Sequence, residues 1–398
     1  MGLEDFAILA ASLAVAGLLV WPRISNAPLW RATITPLASI IGSGFLVLGP
    51  ILSQSYGQWT PVAMALLCAL AYAIGSAIRF NIAALDDGDH GRTGAMMEQA
   101  ASWVLAFAYV VSVAYYLNLL GSFAVSLTPW DTDIAARGVT SAVFVVILVV
   151  GWTKGFAALE RMEELSVGLK LAIIAGLLVG LGWFFAHKVG AGVLIFNPAQ
   201  RTGLGAATLL FGLVVTVQGF ETSRYLGRNY DAALRVRSMR LAQWLSTGIY
   251  MVYVILMAYV FEADQIETSE TAIIGMMASV APVLPFLLVA AALAAQFSAA
   301  VADTSGSGGL IAELTKGRVS QRTGYAVLVL CGLALTWTLN VFEIISWASR
   351  AFAGYYMIQG LIAVVLARRR GRSAAVMAYF ALVAALAALA MVFGQAVE

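Results

Sequence analysis

The sequence predicts an all-α integral membrane protein with about twelve membrane-spanning helices, and three observations carry that reading. First, 61% of the 398 residues are hydrophobic, only 11% are charged and the mean hydropathy is +0.89, whereas soluble domains are about one quarter charged. Second, the apolar residues fall into windows of about twenty, the length that crosses a hydrocarbon core. Third, Lys and Arg concentrate in alternate loops between those windows, as cytoplasmic loops require.

Taken in order, Phe6 to Val20 is the first span. Glu4 and Asp5 precede it where a secretory leader would be basic, and no small-residue cleavage site follows, so it reads as an uncleaved helix. The next five are Ile34 to Leu52, Pro61 to Ile82, Gln99 to Leu127, Ile134 to Gly151 and Leu165 to Ala186. Six more follow: Gly205 to Leu226, Leu241 to Phe261, Val280 to Gly308, Gly324 to Asn340, Phe342 to Leu366 and Ala374 to Phe393. Almost no polar loop separates Asn340 from Phe342. With the loop of Arg23 and Arg31 in the cytoplasm, only Arg137, Lys188 and Arg201 break the charge rule. Both termini are then extracytoplasmic, and the expected location is the cell inner membrane.

Several function classes drop out on composition. A formal net charge of +2 and the lack of a basic tract with interleaved aromatics argue against nucleic acid. His90 and His187 sit in polar loops without ligand spacing, so no metal and no cofactor is expected. Cys68 and Cys331 lie in apolar runs and read as core thiols. The acidic loop Glu262 to Glu270 reads as a solvated outer surface. A membrane enzyme would need catalytic groups clustered at one interface, and a sensor usually adds a soluble output domain; neither pattern is present, so the protein is not read as an enzyme.

Two spans carry polar chemistry at membrane depth. TPLASIIGSGFLVLGP (Thr35 to Pro50) holds Ser39, Gly42, Ser43 and Gly44 in its middle, and LLFGLVVTVQGFETSRYLG (Leu209 to Gly227) holds Gly212, Thr216, Gln218, Gly219 and Glu221. Glycine weakens a helix by about 1 kcal/mol relative to alanine, and broken backbone inside a bilayer persists only where protein or a wet cavity surrounds it. Counted from the first break, five spans precede Gly205 and five begin there. Interrupted helices at equivalent places in two halves point to an inverted-repeat transporter with its site near the midplane. The bland alternative is tight packing of small residues. The half-helix beginning near Gly42 offers free N–H groups to an anion, and the ends near Ile40 and Thr216 to Gln218 offer carbonyls to a cation. An amino acid matches both.

Lys170, in VGLKLAIIAGLL, lies inside a span, where an uncompensated ammonium costs about 2.5–3.5 kcal/mol. It is open to proton exchange, to service as a fixed cation in place of sodium, or to snorkelling towards the interface near Glu163 and Glu164. Glu221, Asp303 and Arg350 are further intramembrane polar residues, each open to service as a substrate ligand, a gate ion pair or part of a structural pair; Glu221 reads as structural or gating rather than ligand-binding. Trp347, Tyr355 and Tyr356 read as packing.

IIGSGFLVLGP, GLKLAIIAGLL and FGLVVTVQGFE, in that order and spacing, resemble the amino acid–polyamine–organocation (APC) superfamily with its LeuT-type fold. The resemblance implies a 5+5 inverted repeat: residues 1–29 an extra N-terminal helix, 30–190 the first repeat, 191–368 the second and 369–398 an extra C-terminal helix. It implies alternating-access transport of amino acids or related small amines, proton-coupled or sodium-independent. Substrate carboxylate would rest on the N–H groups of Ser43 and Gly44, with Gly42 permitting the turn. The amino group would meet the carbonyls of Ile40, Val215 and Gln218, and Lys170 would be the coupling residue that replaces sodium. The extra N-terminal helix and AAQFSAAVADTSGSGGL, with Ala302 and Asp303, are instead similar to sodium:solute symporters. There the hydroxyl-bearing positions correspond to Ala300 and Val301, which disfavours sodium, although a slip of one turn brings in Ser298 or Thr304. A sodium-coupled symporter of a small organic solute is therefore the second transporter reading.

Overall fold

The structure, a computed structural model, describes residues 2–42, 44–86, 92–153, 157–228, 230–267 and 269–395. Its helices are α1 (Leu3–Val20), α2 (Pro22–Ser25), α3 (Pro28–Ile40), α4 (Gly44–Tyr56), α5 (Thr60–Asp86), α6 (Arg92–Val125), α7 (Asp133–Thr153) and α8 (Ala157–Gly190). There follow α9 (Gly203–Gly212), α10 (Ala232–Ala258), α11 (Ala272–Ala278), α12 (Leu284–Leu314), α13 (Gln321–Thr338), α14 (Val341–Arg369) and α15 (Ala374–Phe393). No strand occurs among the described residues.

Among those residues nine helical stretches are long and apolar enough to cross a membrane, against the twelve predicted. The shortfall has physical causes. The first predicted break divides its span into α3 and α4, each of 13 residues. The second leaves α9 with 10 residues, followed by 3₁₀ turns at Val214–Val217 and Phe220–Arg228. The 18-residue α13 opens on Gln321 and Arg322, which dilute its apolar run. The junction that lacked a polar loop is resolved by a cap: Asn340 accepts from the Glu343 N–H and the Glu343 carboxylate accepts from the Asn340 N–H, both at 2.8 Å.

At the centre of the bundle α6 packs against α12 and α14, with α3 and α5 on α10 and α15 outside α14. The N-terminal α1 lies on α8. Its seat is the pair Gly176 and Gly180, four residues apart on α8, a spacing that lets two helices approach closely. A side chain at Gly176 would stand 2.9 Å from the Ile8 carbonyl oxygen, and one at Gly180 would stand 2.9 Å from the end of the Ile8 side chain. The cysteines divide: Cys68 is buried, whereas Cys331 is exposed on the outer face of α13 and is not a core thiol. Of the acidic loop Glu262 to Glu270, Glu262, Asp264 and Glu267 are exposed, but Glu270 is held by the Ser122 hydroxyl at 2.7 Å.

Replacing Gly176 with Leu forces α1 away from α8, an overpacking cost of about 1–3 kcal/mol. We expect a lower thermal unfolding temperature in detergent for that variant. Gly168→Ala, where an added Cβ meets nothing within 4 Å, leaves the temperature unchanged or raises it.

Candidate functional site

The two interrupted helices meet at their interruptions. Gly44, the first residue of α4, lies so close to the second break that a Cβ there would be 2.7 Å from the Thr216 Cα. Gly219 has φ +117° and is pressed against the main chain of Ser39 in the last turn of α3. Only glycine combines that backbone angle with so near an approach.

Unwound backbone in a protein interior needs partners for its N–H and C=O groups, and three other helices, α8, α10 and α14, deliver them as side chains. Tyr250 of α10 points its hydroxyl at both breaks, 3.0 Å from the Ile40 carbonyl oxygen and 2.6 Å from that of Thr216. Ser349 of α14 donates to the Gly212 carbonyl at 2.6 Å and accepts from the Val215 N–H at 3.0 Å. Lys170 of α8 donates from Nζ to the Ala38 carbonyl at 2.6 Å. The Gly219 N–H finds the Glu221 carboxylate at 3.0 Å, and Tyr356 of α14 reaches that same carboxylate at 2.9 Å and the Gln218 Oε1 at 3.1 Å. Gln218 also extends its Nε2 to the Tyr116 hydroxyl of α6 at 3.4 Å. Pro50 adds a gap of its own, because a proline has no N–H for the carbonyl four residues earlier. The Tyr253 hydroxyl contacts that carbonyl, Leu46, at 3.4 Å.

Lys170 is 1% exposed. Its ammonium is directed into the bundle, at the carbonyl end of the α3 half-helix, where the helix dipole and the bond to Ala38 both favour a cation. The snorkelling alternative is therefore set aside. A small cavity of about 10 Å³ lies beside it, lined by Ile41, Gly42, Phe45, Ile174 and a face of α12 ending at Gln296. On α12 that face is formed by Leu288, Ala291, Ala292, Ala295 and Gln296, all of which precede the Ala300 and Val301 singled out by the sequence. The Ser298 and Thr304 hydroxyls both donate to carbonyls of their own helix.

The expected ligand groups are placed as follows. Ile40 ends α3, Gly42 lies in the break and Gly44 opens α4; Val215 lies in the 3₁₀ turn and Gln218 directly after it. All are buried. Ser43 lies outside the described residues. Tyr250, Ser349, Tyr356 and Tyr116 were not singled out by the sequence as contributors; the signal available was a hydroxyl in the middle of an apolar helix, which must find a partner.

A second cavity, of about 1180 Å³, is bounded by α3, α8, α12, the end of α1 and the 3₁₀ segment after the second break. Trp30, Arg31, Tyr109, Tyr230, Asp303 and Glu313 are among its lining residues. The remaining intramembrane arginine has a different office. Arg350 binds the Gly394 carbonyl through Nε at 2.9 Å and a terminal nitrogen at 2.6 Å. The next residue, Gln395, donates its N–H to the Thr208 carbonyl of α9 at 3.0 Å. Arg350 thus fastens the chain after α15 to the half-helix preceding the second break, and Trp347 lies exposed with its ring under the guanidinium.

Two crossing helices that unwind where they touch, with an ammonium at the end of one, define a membrane transporter of the broken-helix class. A family model described as an APC superfamily transporter matches residues 22–394, and the chain belongs to that superfamily. It is also similar, at 38% identity covering 100% of this chain and 98% of the relative, to an uncharacterized protein of Aquifex aeolicus (strain VF5). The family match begins after α1, whereas the similarity to the Aquifex protein includes it.

Tyr250→Phe removes the donor for the Ile40 and Thr216 carbonyls, and leaving buried acceptors bare costs about 1–3 kcal/mol. We expect a matching fall in stability by thermal unfolding. Gly44→Ala, which drives a methyl into backbone that has no room to yield, should lower stability further and abolish solute uptake in proteoliposomes.

Proposed function

We propose that this protein is a secondary active transporter of amino acids or related small amines that works by alternating access. The observation that carries this reading is the contact between the two breaks with Lys170 seated at the end of the first half-helix. The N–H groups of Gly44, which opens α4, and of Ser43, which precedes it in the sequence, would receive a carboxylate, the chemistry of any helix N-terminus. Carbonyls of Ile40, Val215 and Gln218 would receive the amino group, exchanging bonds such as the one Ile40 now makes with Tyr250. The twelve predicted crossings would form a LeuT-type 5+5 repeat, with α1 and α15 as the additional helices.

In this reading the larger cavity faces the cytoplasm, because its mouth carries Arg31 on the side to which the charge rule assigns the basic loops. The breaks are closed on one another while that cavity stands open, as in one stage of a rocking cycle. Lys170 would tie the cycle to protons or serve as a permanent charge where sodium would otherwise bind. Two features support the sodium-independent form over the sodium-coupled one: an ammonium already contacts Ala38, and both Ser298 and Thr304 bond back to their own helix.

Two experiments test the reading. Uptake of amino acids into proteoliposomes should depend on an imposed proton gradient in the wild type and lose that dependence in Lys170→Ala; equal dependence in both removes Lys170 from coupling. A lone cysteine at Thr35, in a background lacking Cys68 and Cys331, should react with a membrane-impermeant maleimide from the cytoplasmic side only. Labelling from outside would reverse the assigned orientation.

A further inference from the structure

Asp303 is a buried carboxylate, 4% exposed, at the wall of the large cavity. Nothing in the reading above uses it. Its surroundings are built in two rungs between α12 and α6. On one rung the Ser112 hydroxyl donates to the Asp303 carboxylate; on the other, three residues along each helix, Gly306 faces the ring of Tyr109. A Cβ at Gly306 would stand 2.8 Å from that ring, so glycine brings the aromatic surface against α12 within one turn of the carboxylate. The rest of the α12 wall at this level is small and uncharged: Ala302, Ser305, Gly306 and Gly309. Towards the breaks stands Tyr116, which interacts electrostatically with both Asp303 and Glu221 and touches Gln218.

A carboxylate held in orientation by a hydroxyl, beside an aromatic ring and at the side of a cavity, is the set of groups that receives an ammonium. We propose that Asp303, with Tyr109 beside it and Ser112 orienting it, is a cation-recognition site, and that the transported solute presents an ammonium to it. The proposal rests on the transporter reading above and narrows its substrate class to solutes of net positive charge. Such a group comes either from an amino acid with a second, side-chain ammonium or from a simple amine. A neutral amino acid, with its one ammonium held by the carbonyls of the breaks, has no second ammonium for Asp303.

The test is binding to purified full-length protein in nanodiscs, by thermal shift and titration, with L-lysine, L-norleucine and n-butylamine. Lysine and norleucine differ by the side-chain ammonium; butylamine carries an ammonium without a carboxylate. One charge-assisted bond supports a preference of about tenfold, so wild type should bind lysine at least about tenfold more tightly than norleucine. Asp303→Asn should erase that difference while its norleucine affinity stays the same, Asp303→Glu should keep most of it, and Ser112→Ala should keep the carboxylate and a reduced preference. Butylamine binding that falls in Asp303→Asn means the ammonium alone suffices; a fall confined to lysine means that the carboxylate end of the solute is held as well. Equal affinity of wild type for lysine and norleucine, or a preference surviving in Asp303→Asn, overturns the proposal and leaves Asp303 as a tie between α6 and α12, with the transporter reading intact. Failure of wild type to bind any of the three overturns the proposal and the amino acid and amine reading together.

Discussion

A polar backbone group at membrane depth cannot be left to the lipid, and the arrangement of this bundle follows from meeting that demand at two places. Unwinding α3 from α4 and α9 from the segment after it frees carbonyls and N–H groups where no water is at hand. Tyr250, Ser349 and Lys170 come from α10, α14 and α8 to meet them. These helices therefore cannot be packed in any register that merely buries apolar surface. Each must bring one polar atom to within hydrogen-bond distance of a particular main-chain atom.

Lys170 joins structure to chemistry most directly. Placing an ammonium inside the bundle is unfavourable unless something answers its charge, and the half-helix ending at Ile40 supplies aligned carbonyl dipoles together with a direct bond at Ala38. A conformational cycle that tilts α3 would break that contact. The lysine is thereby tied to the end of the first half-helix by position alone.

Much of the fold could be read from the chain, and the reasons for success and failure are specific. Ser39, Gly42 and Gly44 stood out because a lipid-facing helix has no use for them, and the structure interrupts the helix there. Lys170 stood out because its transfer cost demands a partner. The partner itself was hidden, since Ala38 contributes only a carbonyl, which every residue owns. Tyr250 was hidden for a related reason: it sits amid Ile249, Met251 and Tyr253, and periodicity cannot say which of those faces a broken helix 210 residues away in sequence. Cys331 was misplaced because an apolar run in a membrane helix says nothing about whether a given face meets protein or lipid.

The contact between Gly44 and Thr216 has a consequence for how tightly any solute can be held. For the site proposed above, room between the two breaks would open only when those residues part, so measured affinity would be the intrinsic affinity reduced by the fraction of molecules already parted. Substitutions that loosen the bundle far from the breaks will then register as gains in affinity without touching the ligand.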